Sequence, residues 1–197
     1  MEALLLSGGI DSIAIAAWRK PRVGITVDYG QVCASAEFRA SRAVCSALSI
    51  EHHTINANCR ELGSGDLAGI PPCALAPESE WWPFRNQLLI TLGAMRAVTL
   101  GVESLLIGTV RTDRFHADGD PAFINGISQL CGMQEGGIKI VAPAIELSSV
   151  ELVRTSGVSM DVLSWAHSCH KCEFACGSCR GCLKYRQVMD DLRSGES

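Results

Sequence analysis

Residues 4–12 read LLLSGGIDS, and the reading of these nine letters decides the fold. With Ala3, the leucines make a short continuous apolar run, as expected of a strand covered on both faces at residues 3–6. Ser7-Gly8-Gly9 is a flexible elbow, and Asp11 and Ser12 stand where a helix begins. Glycine permits positive φ and close approach of a ligand. The first amides of a helix lack intrahelical acceptors and carry partial positive charge, so such an elbow suits phosphate. Ser7 and Ser12 add hydroxyl donors, while Asp11 either caps the helix or holds a magnesium ion beside the phosphates. A plain glycine turn with an Asp cap is the alternative. No G-x-x-x-x-G-K-[ST] is present, which argues against Walker-type γ-phosphoryl transfer.

Outward from the elbow, strands and helices alternate. An apolar helix is expected at 13–18, a strand at 23–27, a helix at 37–48 and a strand at 52–55. Residues 61–84 are rich in glycine and proline without a sustained period, and a connection of that length is usually functional or mobile. A helix at 86–100, a strand at 104–110, a polar loop, a helix opened by Pro121, a strand at 138–141 and a helix at 148–156 complete the pattern. The economical fold is α/β, a doubly wound, mainly parallel sheet of about five strands, with ligands beyond the carboxyl ends of the strands.

The chain has 197 residues and a net charge of −4, so a surface devoted to gripping nucleic acid is not expected. No apolar run is long enough to span a bilayer, and the N-terminal run lacks the basic lead-in of a signal peptide; a cytoplasmic location is expected. Of ten cysteines, Cys169, Cys172, Cys176, Cys179 and Cys182 crowd into fourteen positions. Cys169, Cys176, Cys179 and Cys182 have the spacing of a closed, structural zinc site, with Cys172 as a competing ligand.

SGGIDS resembles the pyrophosphate loop (PP-loop) of the N-type ATP pyrophosphatases, S-G-G-x-D-S. The late S-C…C-G-x-C-x-x-C narrows the resemblance to the 7-cyano-7-deazaguanine synthase (QueC-like) family. Asp28-Tyr29-Gly30-Gln31 with Glu37, Pro83-Phe84-Arg85-Asn86, Gly108 with Asp113 and Asp118, and Pro143 with Leu147 extend it over nearly the whole chain.

The resemblance implies a PP-loop domain at 1–160 and a zinc-binding segment at 161–197. It implies ATP and Mg2+ held by Leu6, Ser7, Gly8, Gly9, Ile10, Asp11 and Ser12 with Asp28 and Arg111. A 7-deazaguanine would meet Tyr29, Gln31, Phe84, Arg85, Asn86, Asp113 and Asp118, and catalysis would fall to Ser7, Asp11, Ser12 and Arg85. His116 is a further candidate, as general base. The implied reaction adenylates 7-carboxy-7-deazaguanine for attack by an amine, in a homodimer. Ammonia gives the amide and then the nitrile, whereas a protein amine gives a conjugate.

Three departures matter. Gln31 is followed by Val32-Cys33-Ala34, the stretch 115–120 is shortened, and the family's lysine after P-L-x-x-L-x falls on Ser149. Arg111, Arg114 or Lys139 are candidates to replace that lysine. QueC-like proteins of anti-phage defence systems resemble this shorter form. A non-catalytic 7-deazapurine sensor and a tRNA-modifying PP-loop enzyme are the competing readings; the acidic charge counts against the latter.

Overall fold

The computed structural model describes residues 1–194; the last three positions of the expected zinc segment lie outside the described residues. Five strands form one all-parallel sheet: β1 (Glu2–Leu5), β2 (Val23–Asp28), β3 (Glu51–Asn56), β4 (Ser104–Leu106) and β5 (Lys139–Val141), in the order β3-β2-β1-β4-β5. Leu4 and Leu106 are paired in register across β1 and β4 and fully buried. Such strands are covered on both faces, which is why they read as apolar runs without alternation.

The crossovers are α1 (Ile10–Arg19), α2 (Ala34–Leu48), the single turn α3 (Gly65–Ala68), α4 (Arg85–Thr99) and α5 (Pro121–Gly132); α6 (Ser149–Ser156), α7 (Met160–Leu163) and α8 (Arg180–Ser194) follow the sheet. One core lies between α4, α5 and the sheet, around Ile25, Ile90, Leu105 and Ile127. The other gathers Leu4, Ile13, Ala16, Val44 and Leu152, and it also takes in Leu163, Val188 and Met189. The C-terminal segment therefore packs into one of the two cores that flank the sheet. No helix of the described residues is long and apolar enough to cross a membrane.

Local chemistry sets several boundaries. Asp120 Oδ1 accepts the Ala122 amide and Pro121 opens α5, whose first turn needs no proline N–H. Ser148 and Glu151 form a reciprocal capping box at α6. The fourth strand stops at Leu106, short of the expected 110, and the chain beyond it bonds elsewhere: Arg111 N–H donates to the Leu147 carbonyl, just before α6, and Asp113 Oδ2 accepts the Val110 amide. The expected polar loop that follows forms two 3-10 turns, Arg111–Phe115 and Ala117–Gly119. Residues 61–84 carry a 3-10 turn (Arg60–Leu62) and α3, tied down where the Asp66 amide donates to the Ser79 carbonyl at 2.7 Å.

Strand order reverses between β1 and β4, because the chain travels outward from β1 to β3 and then returns to the other side of β1. The crevice at that switch point is where an open α/β sheet receives its ligand.

Candidate active site

At the switch point, the elbow after β1 and the turn after β4 face each other: a Cβ on Gly108 would sit 3.6 Å from Ser12 Cβ. The elbow needs glycine. Gly8 has φ +77°, and a Cβ there would lie 2.8 Å from Ala40 Cβ and 2.9 Å from the Glu37 carbonyl. This lets α2 pack directly beneath the turn. Gly9 is the N-cap of α1 and no side chain caps that end. The expected cap, Asp11, is instead drawn to Lys184. Ser12 Oγ donates to the Gly9 carbonyl at 2.9 Å and lies 3.3 Å from Ser7 Oγ. The amides of the first turn of α1 are thus left to a ligand.

These groups open into a cleft of about 610 Å³, in the range of small-molecule sites. Leu6, Ser7, Gly9, Ile10, Asp11 and Ser12 line it, as do Tyr29, Arg85, Asn86, Asp113, His116 and Asp118. Most of the residues expected at the site therefore converge. Five do not reach the lining. Gly8 packs against α2. Asp28 Oδ1 accepts the Gly30 amide, closing the turn after β2. Gln31 is buried and braces that turn, accepting the Tyr29 amide and donating to the Val27 carbonyl and Glu37. Phe84 is the N-cap of α4 in the left-handed region (φ 55°) and is 77% exposed, so its ring points to solvent. Arg111 Nη2 pairs with Glu151 Oε2 at 3.0 Å. Arg114 likewise pairs with Glu146, and Lys139 is exposed at the start of β5.

The cation beside the elbow is Lys184, from α8. Its Nζ lies 2.8 Å from Asp11 Oδ2 and 3.3 Å from Asp113 Oδ1. Burial pushes the ammonium down, but the two carboxylates outweigh it and hold it above its ordinary range. Arg180 enters from the same helix and donates to Glu80 Oε1 at 3.0 Å, with His116 Nε2 3.8 Å from that oxygen. Burial pushes the Glu80 carboxyl up; the His116 ring, its own amide and Arg180 together bring it down to about 2. Glu37 shows the opposite balance: burial raises its carboxyl to about 7 despite hydrogen bonds from Gln31 and Cys33 and the nearby Arg85 charge. His170 is pushed down to about 4, first by burial and then by Arg85.

Among the described residues, four buried side-chain polar atoms have no partner: Asp11 Oδ1, Glu80 Oε2, Ser149 Oγ and His170 Nδ1. All four residues line this cleft. Buried polar groups are nearly always satisfied by protein or by water, so these four atoms offer hydrogen-bonding capacity to whatever fills the cleft, water or a polar ligand.

Next to the cleft, the thiols of Cys169, Cys176, Cys179 and Cys182 lie within 4.8 Å of one another, while Cys172 is exposed and outside the group. Pairs Cys169–Cys179 and Cys176–Cys182 stand at 3.9 Å, close to the ~3.8 Å edge of a tetrahedron with ~2.3 Å Zn–S bonds. Amides of Cys179, His170 and Cys182 point at the sulfurs of Cys176 and Cys179, as suits thiolates. The amides of Ser178 and Cys179 hold the Cys176 thiol down, to about 6. The donor set fits zinc. The chain then enters α8 through Gly181, where a Cβ would clash with the Ser168 carbonyl at 1.8 Å.

Comparison with known proteins places the chain among its relatives. The family profile described as "Queuosine biosynthesis protein QueC" matches residues 2–191. The 7-cyano-7-deazaguanine synthase of Chlorobium phaeobacteroides is 32% identical, over 92% of this chain and 88% of that protein. Its counterpart from Methanosarcina barkeri is 28% identical, over 93% and 91%. Among solved structures, the U34-tRNA thiolase NcsA from Methanococcus maripaludis with its [4Fe-4S] cluster superposes with a TM-score of 0.55 at 16% identity, covering 99% of this chain and 66% of that one; this likeness speaks to the fold alone. With the profile spanning nearly every residue from the first strand to the last helix, the chain belongs to the QueC family.

Proposed function

We propose that this chain is a cytoplasmic ATP-dependent enzyme of the 7-cyano-7-deazaguanine synthase type. It binds ATP at the elbow and adenylates the carboxylate of 7-carboxy-7-deazaguanine. The observation that carries the reading is the uncapped amino end of α1, opening into a cleft whose buried polar atoms lack partners.

In this mechanism the amides at the start of α1, with the Ser7 and Ser12 hydroxyls, hold the β- and γ-phosphates. Lys184 adds a point charge beside them. Asp11 Oδ1, buried without a partner, fits a magnesium ion accompanying the nucleotide, whose chemistry would be to neutralise phosphate charge. A substrate carboxylate oxygen attacks the α-phosphorus, the bond from that phosphorus to the bridging oxygen breaks, and pyrophosphate leaves. Arg85, at the first position of α4 and lining the cleft, orients the carboxylate through its planar guanidinium. An amine then attacks the acyl carbon, loses a proton and expels AMP. With ammonia the product is the amide, and a second adenylation and loss of AMP gives the nitrile. With a protein amine, as in a defence-type relative, the product is a conjugate. Positioning and charge neutralisation supply most of the rate.

The test is to incubate the protein with MgATP and 7-carboxy-7-deazaguanine, with and without ammonium, and to measure AMP, pyrophosphate and base products. AMP with amide or nitrile supports ammonia as acceptor. AMP that appears only with an added protein amine identifies the conjugating form. Binding of the base with no AMP under any acceptor condition would reduce the chain to a sensor.

A further inference from the structure

Glu37 stands where the proposed nucleotide and carboxylate sites meet. It lies in the first turn of α2, directly beneath the elbow, where a Cβ on Gly8 would sit 2.9 Å from its carbonyl. Its carboxyl is held from the turn after β2: Oε2 accepts the Gln31 Nε2 N–H at 2.7 Å, and Oε1 accepts the Cys33 thiol at 3.3 Å. Gln31 is fixed in turn by the Tyr29 amide and the Val27 carbonyl. Burial pushes the Cys33 thiol up, which keeps it a donor. Glu37 is half-buried and lines the large cleft together with Arg85, whose charge reaches it from α4. A carboxylate accepts at about four positions, so these two donors leave capacity for a ligand.

The proposed mechanism leaves one atom without a destination, the proton that the attacking amine must lose. Other carboxylates of the cleft are committed elsewhere. Asp11 and Asp113 flank the Lys184 ammonium, Glu80 pairs with Arg180, and Asp191 Oδ1 accepts the Gln187 side-chain amide on α8. Glu37 faces a different set: Gln31 and Cys33 as neutral donors, Arg85 as a cation and Asp28 as a second anion. Burial outweighs the donors and the cation and raises its carboxyl to about 7, which suits a proton acceptor working near neutral pH.

We infer that Glu37 is the general base of the amine-transfer step, taking the proton from the nitrogen that attacks the acyl carbon. This rests on the proposed function, which places that carbon between the elbow and Arg85. The nitrogen lone pair forms the C–N bond, the carbonyl π pair moves to oxygen, and one N–H proton passes to the Glu37 carboxylate. The oxygen pair then re-forms the carbonyl, the bond from carbon to the AMP oxygen breaks, and AMP leaves with that electron pair. Glu37 returns its proton to water as the product departs. Adenylation moves no proton, because a carboxylate attacks phosphorus and pyrophosphate leaves as an anion. Glu37 therefore has no task in the first half of the reaction.

The test separates the two halves. Exchange of labelled pyrophosphate into ATP, with 7-carboxy-7-deazaguanine and no amine, reads adenylation; amide formation with ammonium reads the transfer. Glu37→Gln is expected to keep exchange to within about threefold and to lose amide formation by about 100-fold or more at pH 8, as for removal of a general base. In the wild type, the amide rate corrected for the fraction of free ammonia should rise through about pH 7 and then level off, and the variant should lack that rise. Glu37→Asp serves if the glutamine variant fails to fold, and is expected to keep the rise at an intermediate rate. Equal losses of exchange and amide formation overturn the assignment and leave Glu37 as a brace for the turn. Unchanged amide formation in Glu37→Gln overturns it too, as does selective loss of amide formation in Asp118→Asn or His170→Asn while Glu37→Gln retains it. A wild type without exchange overturns the proposed function together with this inference; exchange without amide formation overturns this inference alone.

Discussion

The ammonium of Lys184 sits 2.8 Å from Asp11 Oδ2, joining the last helix of the described chain to the first across 173 residues of sequence. Asp11 is mostly buried, so removing the cation leaves a carboxylate with neither of its oxygens paired. Lys184→Met is expected to lower stability by about 1–2 kcal/mol, less than a fully buried pair would, because the lysine side chain is one-third exposed. Its raised pKa means that the stabilising contribution is complete below the ordinary 10.5 and is lost only as pH climbs past the higher folded value. Denaturant unfolding should therefore show the same deficit at every pH from 6 to 9. AMP formation should drop at least ~100-fold, as expected for removal of a preorganised charge. Wild-type turnover in this variant would remove Lys184 from the mechanism.

The zinc ligands and the cleft residues alternate along one short stretch: Cys179, Arg180, Cys182 and Lys184. Cys179→Ser is expected to cut bound zinc from one per chain to near zero and to lower Tm by more than ~5 °C, since metal binding stabilises the folded state. AMP formation should fall with it, because the anchor of Arg180 and Lys184 is lost. Cys172→Ser, by contrast, should keep one zinc and wild-type activity, because that thiol is exposed and outside the cluster. Metal analysis and melting of the two variants check this directly.

Signals that are local in sequence were legible, and those that depend on distant pairing were not. The elbow announces itself because strand, turn and helix start are contiguous, and the cysteine spacing carries its own geometry. Lys184 offered no such signal: a lysine in an amphipathic helix looks like a solvated residue until the fold brings it to Asp11. Glu80 lay in a stretch without periodicity, where no pattern distinguishes a buried carboxylate from an exposed one. Phe84 runs the other way: the resemblance implies contact with the base, while its left-handed cap conformation turns the ring outward. The resemblance implies a place for Arg111 beside ATP, but the chain turns after β4 and its guanidinium meets Glu151.

Glu37 supplies a pH dependence of definite sign. Burial raises its carboxyl from an ordinary 4.5 to about 7, with Arg85 opposing and Asp28 reinforcing the shift. The folded state thus binds the proton more tightly than the unfolded one. The associated stability is complete below 4.5 and is lost as pH rises through about 7. Glu37→Gln keeps the neutral shape, so wild type should lose roughly 1–3 kcal/mol relative to the variant between pH 5 and pH 8. Parallel unfolding curves at both pH values would place the charge in a better-solvated setting.

Ser149 is where the family resemblance calls for a lysine, and its hydroxyl is one of the buried atoms without a partner. The residue opens α6, is 5% exposed and lines the cleft. Because the capping box at this helix start belongs to Ser148 and Glu151, the Ser149 side chain is spared for a ligand. Ser149→Ala removes an unsatisfied hydroxyl while leaving the cap intact, so the unliganded variant should be as stable as wild type or up to ~1 kcal/mol more so. If the hydroxyl meets phosphate, KM for ATP should rise about 3- to 10-fold, the loss of one hydrogen bond, with kcat little changed. An equal drop in kcat would instead place the hydroxyl on charge that develops only in the transition state. An unchanged KM and kcat would mean that Lys184 and the α1 amides hold the phosphates without it.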